Sequence, residues 1–164
     1  MSDPSTPLLV LGLGNVLLTD DGLGPAAVVR LQERYSAPDG VRVLDGGTLG
    51  LALLHYVEDC KTLVIVDAVK ADAVPGTLVR LTGDDVGAAV ATRLSPHQVG
   101  VADLLEGADL LGRKPPTIVL LGIVPESIEL GFGLSPSVER AVPDLVDLVV
   151  QETASLGFAF KEAA

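Results

Sequence analysis

The 164-residue chain contains one cysteine, two histidines, no tryptophan, and only 11 Lys and Arg against 22 Asp and Glu. Each scarcity excludes something. A lone Cys60 leaves no internal disulfide and no multi-cysteine zinc or iron–sulfur site, and it fits a reducing compartment. A formal net charge of -11 opposes the counterion release that drives binding to phosphate backbones, so neither nucleic acid nor an anionic membrane surface is expected as a partner. The opening residues lack the basic and apolar regions of a signal peptide, and no apolar run reaches the ~18 residues of a membrane span. The expectation is a soluble, cytoplasmic protein. Aromatic residues make up 3% of the chain, so its core must be built from Val, Leu, Ile and Ala.

What is there describes a folded domain. Apolar residues reach 48%, charged residues 20% and the mean hydropathy is +0.49, a balance that disordered chains lack. The length predicts one domain over 1–164. Leu8 to Gly12, Val41 to Leu44, Thr62 to Asp67 and Thr117 to Val124 are short apolar runs, rich in branched residues and bounded by turn formers, and read as strands. Leu23 to Tyr35 reads as a helix with Leu23, Ala27 and Leu31 on one face. Leu49 to Asp59 reads as a second helix. A third follows His97, with Val101, Leu104, Leu105, Ala108 and Leu111 on its stripe. Alternating strands and helices predict a three-layer α/β/α sandwich around a mostly parallel sheet of about five strands. Thr77 to Leu81 follows its predecessor too closely for a helical crossover and reads as an antiparallel edge. The last helix should start at Ser135-Pro136 and be kinked or interrupted at Pro143, whose ring removes an intrahelical hydrogen bond. Gly83 to Ala91 fits either a helix or a loop, and a few residues at each end look loose.

In an open parallel sheet, ligands bind beyond the carboxyl ends of the strands. Asn15, Asp20 and Asp21 follow the first strand, Asp45-Gly46-Gly47 the second, Asp67 ends the third, and Glu126 follows the last. Carboxylates on separate loops at one rim favour a cation or a donor-rich peptide over a phosphate. Taken singly, each Asp also reads as a helix cap or a turn former. Gly12-x-Gly14 after a strand resembles the start of a dinucleotide fingerprint, but the third glycine is missing because position 17 is Leu.

Of the two histidines, His55 falls inside a predicted helix, where no chemical duty is required. His97 lies in Ser95-Pro96-His97-Gln98, a helix start with Ser as cap, Pro at the first position and Gln completing a capping box. The positive end of the helix dipole there disfavours protonation and keeps a ring nitrogen available to a metal. A solvated first-turn residue is the alternative. Any metal site must therefore combine one histidine with carboxylates and keep open positions, a set suited to zinc, nickel or a related divalent ion. No nucleophile elbow, metalloprotease helix or Walker loop is present. Cys60, beside Glu58 and Asp59, has neighbours that raise a thiol pKa and reads as core filler.

Six motifs carry a wider resemblance. Leu11-Gly-Leu-Gly-Asn-Val-Leu-Leu-Thr-Asp-Asp-Gly-Leu-Gly24, Asp45-Gly-Gly47, Val64-Ile-Val-Asp67-Ala68, Pro75-Gly-Thr77, Ser95-Pro-His-Gln98 and Gly122-Ile-Val-Pro-Glu126 resemble, in order and spacing, the maturation endopeptidases of nickel–iron hydrogenases. The resemblance implies an α/β peptidase that removes a C-terminal extension from a hydrogenase large-subunit precursor after nickel insertion, reading the nickel as its signal. It also implies Asp21, Asp67 and His97 as metal ligands and the Gly46-Gly47 loop as a holder of the scissile segment. Nickel supplied by the substrate is the expected ion, and zinc or cadmium could take its place. Asp45 or Asp20 could activate water beside a metal-polarised carbonyl, or aspartates could supply acid–base catalysis while the metal only positions substrate. A non-catalytic metallochaperone for the nickel-loaded precursor is the alternative reading.

Overall fold

The computed structural model describes residues 6–58, 60–91 and 96–164, and the side chains of 91–99 lie outside that description, as do Asp59 and the Ser95 cap. Strands β1 (Leu8–Leu13), β3 (Val41–Gly47), β4 (Thr62–Ala68), β5 (Leu78–Thr82) and β6 (Thr117–Ile123) form one sheet in the order β3-β1-β4-β6-β5. All pairings in this sheet are parallel except β5 with β6, the antiparallel edge expected from the short 69–77 connection. The central strands read as unbroken apolar runs because both faces are covered. Leu9, Leu11, Leu13, Leu63 and Ile65 point to one core, and Leu8, Val10, Val64, Val66 and Ala68 to the other, as the two-residue period of a strand requires.

Helices α1 (Leu23–Arg34) and α5 (Pro136–Ser155) cover the second core, while α2 (Leu54–Val57), α3 (Asp84–Ala91) and α4 (Pro96–Leu110) lie over the first. The expected three-layer α/β/α sandwich is the observed one. Arg80 of β5 ties the layers together, its Nε and Nη2 each donating to Glu152 of α5 at 2.9 Å. The Glu152 carboxylate raises the Arg80 pKa above its ordinary value by hydrogen bonding and charge.

Four details differ from the sequence reading. The span expected as one helix from Leu49 begins instead as a 3-10 turn over Gly50–Leu53 and ends in the single turn of α2. Gly50 explains part of this, for it has φ 52° and an added Cβ would lie 3.0 Å from Gly100 Cα, so the chain crosses α4 at backbone contact. Leu111, placed on the buried stripe of α4, lies past the helix end and is 57% exposed, whereas Val101, Leu104, Leu105 and Ala108 are buried. Helix α5 runs through Pro143 without interruption. Pro143 is exposed, and the buried stripe Val138, Val142, Leu145, Val146 and Val149 continues on both sides of it, so packing outweighs the missing hydrogen bond. The carboxyl end is not loose: β7 (Lys161–Glu162) pairs with β2 (Tyr35–Ser36), and Phe158 and Phe160 pack on the second core. The undecided segment 83–91 is helical over α3, and Cys60 is buried in the first core.

Candidate active site

The parallel strands β1, β3, β4 and β6 all end on one edge of the sheet, and the sequence-predicted carboxylates gather there. Asp21 lies in a 3-10 turn, Thr19–Gly22, immediately before α1. That turn packs against β4, which carries Asp67 next to its last residue. Glycines make the approach possible. A Cβ on Gly24 would fall 2.2 Å from the Leu13 oxygen and 2.5 Å from the Val66 oxygen, so the first turn of α1 rests directly on the backbone of β1 and β4. Gly122, the register partner of Asp67, likewise has no room for a side chain, since its Cβ would lie 2.2 Å from the Asp67 oxygen.

Asp21 and Asp67 are both buried, at 0% and 2% exposure. Asp21 Oδ2 accepts the Asn15 amide at 3.0 Å, and Asp67 Oδ1 accepts the amide of Ala68 at 2.7 Å. Both are buried carboxylates on adjoining segments, each accepting a backbone amide, and carboxylate oxygens are the ligand type that hard divalent cations take. His97 is in the first turn of α4, and Gly50 and Gly100 bring that end of the helix against the loop after β3. The His97 side chain lies outside the described residues. Among the described residues no three His, Cys, Asp or Glu side chains are grouped to hold an ion.

Asp45 stands apart from the buried pair. It is exposed, and its Oδ1 accepts the Gly47 amide at 2.9 Å, closing a turn in which Gly47 has φ 49°. The register jumps here: Gly12 pairs with Asp45 but Leu13 with Gly47, so Gly46 is an extra residue bulged out of β3. Gly46 is buried against Leu11, Leu13 and Leu53, with a Cβ only 2.8 Å from the Leu53 methyl. Two strand spacings, roughly 10 Å, separate β3 from β4.

Asp20 has a different setting. It is fully buried, and its carboxylate accepts four hydrogen bonds: from the amides of Glu126 (2.9 Å), Ser127 (3.1 Å) and Ser135 (2.7 Å) and from the Ser135 hydroxyl (2.7 Å). Ser135 is the residue before α5, yet its side chain makes no capping bond to the helix, because the hydroxyl is committed to Asp20. Thr19 reinforces the same joint. Its hydroxyl donates to the carbonyls of Ser127 (2.7 Å) and Glu129 (3.1 Å), and its φ of 47° is a strained value for a β-branched residue. The sequence placed Glu126 at this rim and Ser135 at the start of the last helix, but nothing in it paired either residue with Asp20. His55 is exposed in α2, its ring tilted 40° to that of Tyr56 with centroids 4.0 Å apart.

The model of the family described as hydrogenase maturation protease matches residues 25–152. The chain belongs to that family. It is 41% identical over 145 residues to the hydrogenase 2 maturation protease of Escherichia coli strain K12, covering 87% of this chain and 88% of that one. It is 39% identical over 158 residues to the hydrogenase expression/formation protein HupD of Bradyrhizobium diazoefficiens, covering 95% and 82% of the two chains. The solved hydrogenase maturating endopeptidase HybD from E. coli superposes with a TM-score of 0.89 at 38% identity, covering 94% of this chain and 96% of that chain. The [NiFe] hydrogenase maturation protease HybD from Thermococcus kodakarensis has a TM-score of 0.69 at 33% identity, with 87% and 95% covered. This hydrogenase maturation protease is therefore a peptidase, and the edge that holds Asp21, Asp45 and Asp67 is its candidate active site.

Proposed function

We propose that this maturation protease removes a C-terminal extension from a nickel–iron hydrogenase large-subunit precursor once nickel is in place, with Asp21, Asp67 and His97 as ligands to that nickel. The observation that carries the reading is the pair of buried carboxylates, Asp21 and Asp67, held by backbone amides on adjoining segments of one sheet edge. The ion belongs to the precursor, and zinc or cadmium would bind the same donor set. When bound, it would either add Lewis acidity or only position the substrate. No helix among the described residues is long and apolar enough to cross a membrane. We further propose that the chain acts as one domain, over 1–164, in the cytoplasm, where a lone cysteine stays reduced.

The remaining roles follow from the chain's own groups. Asp45 is the candidate general base, being exposed and using only Oδ1 to hold Gly47, which leaves Oδ2 to take a proton from water. Gly46 and Gly47 form a side-chain-free rim where the backbone of a scissile segment can approach. A segment reaching from that rim to Asp67 crosses about 10 Å, or about three extended residues. Asp20, the other candidate base, accepts four hydrogen bonds in the core, and we assign it a positioning role.

The test is to incubate the purified protein with nickel-loaded and nickel-free precursor and weigh the products by mass spectrometry. Loss of a C-terminal fragment from the nickel-loaded form alone is the expected result. A stable, uncleaved complex would identify a non-catalytic chaperone instead.

A further inference from the structure

Beside the carboxylates, two loops are joined into a clasp with an apolar outer surface. The Thr19 amide donates to the Gly131 carbonyl at 2.9 Å and the Gly131 amide to the Leu17 carbonyl at 2.8 Å, a parallel bridge centred on Leu18 and Gly131. The bridge brings the backbone of Leu17 against the loop that carries Leu130 and Phe132, while Thr19, with φ 47°, turns its side chain toward Gly131, whose added Cβ would lie 3.1 Å from the Thr19 methyl. Leu130 is 84% exposed and Phe132 83%, and Leu17 is 45% exposed. Of only three phenylalanines in the chain, one is therefore spent on the surface, next to the candidate active site. Glu126 and Glu129, both exposed, lie in the same loop.

A floppy apolar loop would be a poor recognition element, because ordering it would cost entropy on binding. This one is fixed. Asp20 binds both ends of the 126–135 segment through Glu126, Ser127 and Ser135, while Thr19 holds its first half through the Ser127 and Glu129 carbonyls and its middle through Gly131. The next residue after Asp20 is the candidate ligand Asp21, so the clasp and the proposed metal site share one turn.

We propose that Leu17, Leu130 and Phe132 form the docking surface for the precursor, engaging an apolar segment with positive charge beside it, and that Asp20 is the positioning residue that holds this surface at the edge of the site. Continuity with the carboxylate edge argues for the substrate as occupant. The exposed Glu126 and Glu129 on a chain of net charge -11 set the complementary sign. The assignment rests on the precursor being the substrate.

Binding, measured apart from cleavage, tests it. The intact protein and its L130S/F132S variant are titrated against nickel-loaded large-subunit precursor by biolayer interferometry, with thermal denaturation of each. The expected result is at least tenfold weaker binding by the variant with an unchanged Tm, since both side chains are exposed. Leu110→Ser, at the far end of α4 and equally exposed, should bind as the parent does. Asp20→Asn should weaken binding too, and adding it to L130S/F132S should produce no further loss. Equal binding by the parent and L130S/F132S overturns the docking surface while leaving the protease reading intact. Fully additive losses overturn the positioning role of Asp20. Absence of binding and cleavage by the parent overturns the docking assignment and the protease reading together.

Discussion

Asp20 and Ser135 are 115 residues apart in sequence and are joined twice, through the Ser135 amide and the Ser135 hydroxyl, each at 2.7 Å. The turn before α1 and the start of α5 are thereby a single structural unit beside the candidate active site. Asp20→Ala removes the acceptor of four hydrogen bonds and strands donors that are partly buried. The expected loss is about 3 kcal/mol of stability, since each unsatisfied buried group costs about 1–3 kcal/mol and part of the loop can relax toward water. Urea denaturation followed by far-UV circular dichroism measures it, and a loss below about 1 kcal/mol would show that the joint is dispensable.

The glycine seat under α1 gives a prediction with two signs. Gly24→Ala places a methyl 2.2 to 2.5 Å from backbone atoms of β1 and β4, which cannot move independently of the sheet. It should cost about 3 kcal/mol or more. Gly87→Ala, in the exposed part of α3 with nothing within 4 Å of the new Cβ, should stabilise by about 0.5–1 kcal/mol. Thermal denaturation of the two variants checks both signs in one experiment.

Arg80→Ala should expose the value of the inter-layer pair. Glu152 is 9% exposed and receives two bonds from Arg80, so removing the guanidinium leaves a largely buried carboxylate without that partner. The half-exposed Arg80 moderates the penalty to about 2 kcal/mol, between the values for surface and buried pairs. The double variant R80M/E152L, which replaces the pair with apolar groups, should recover most of that loss in the same denaturation assay.

Why some features were legible in the sequence and others were not comes down to range. Strands β1, β4 and β6 could be read locally, because burial on both faces leaves an apolar run with no alternation, and the partly exposed edge strand β3 was legible from its branched residues Val41 and Val43. The antiparallel β5 followed from a connection too short for a crossover. The rim positions of Asp21, Asp45 and Asp67 followed in turn from strand ends. Helix α2 was overestimated because apolar spacing over Leu49 to Val57 is helix-like, while the backbone at Gly50 is set by Gly100, fifty residues away. Leu111 was overestimated because the stripe continues past the point where the helix stops. The Asp20 joint was invisible, since its partners are mostly backbone amides more than a hundred residues distant, and an amide leaves no mark in a sequence. The same holds for the bulge at Gly46, which arises from the register between two strands.

The three proposed ligands share one expected phenotype. Asp21→Ala and Asp67→Ala should abolish precursor processing while the domain stays folded, as judged by circular dichroism, and His97→Ala should do the same. If Asp67 served only as a strand-end turn former, Asp67→Ala would lower stability and leave cleavage intact. Processing assays run beside denaturation curves separate these outcomes.

The proposed site requires Asp21, Asp67 and His97 to share one ion, and a crystal of the protein soaked with cadmium tests that directly through its anomalous scattering. One peak within coordination distance of an oxygen of Asp21, an oxygen of Asp67 and a ring nitrogen of His97 is the predicted result. A peak lacking any of the three, or an imidazole of His97 turned away from the two carboxylates, would contradict it.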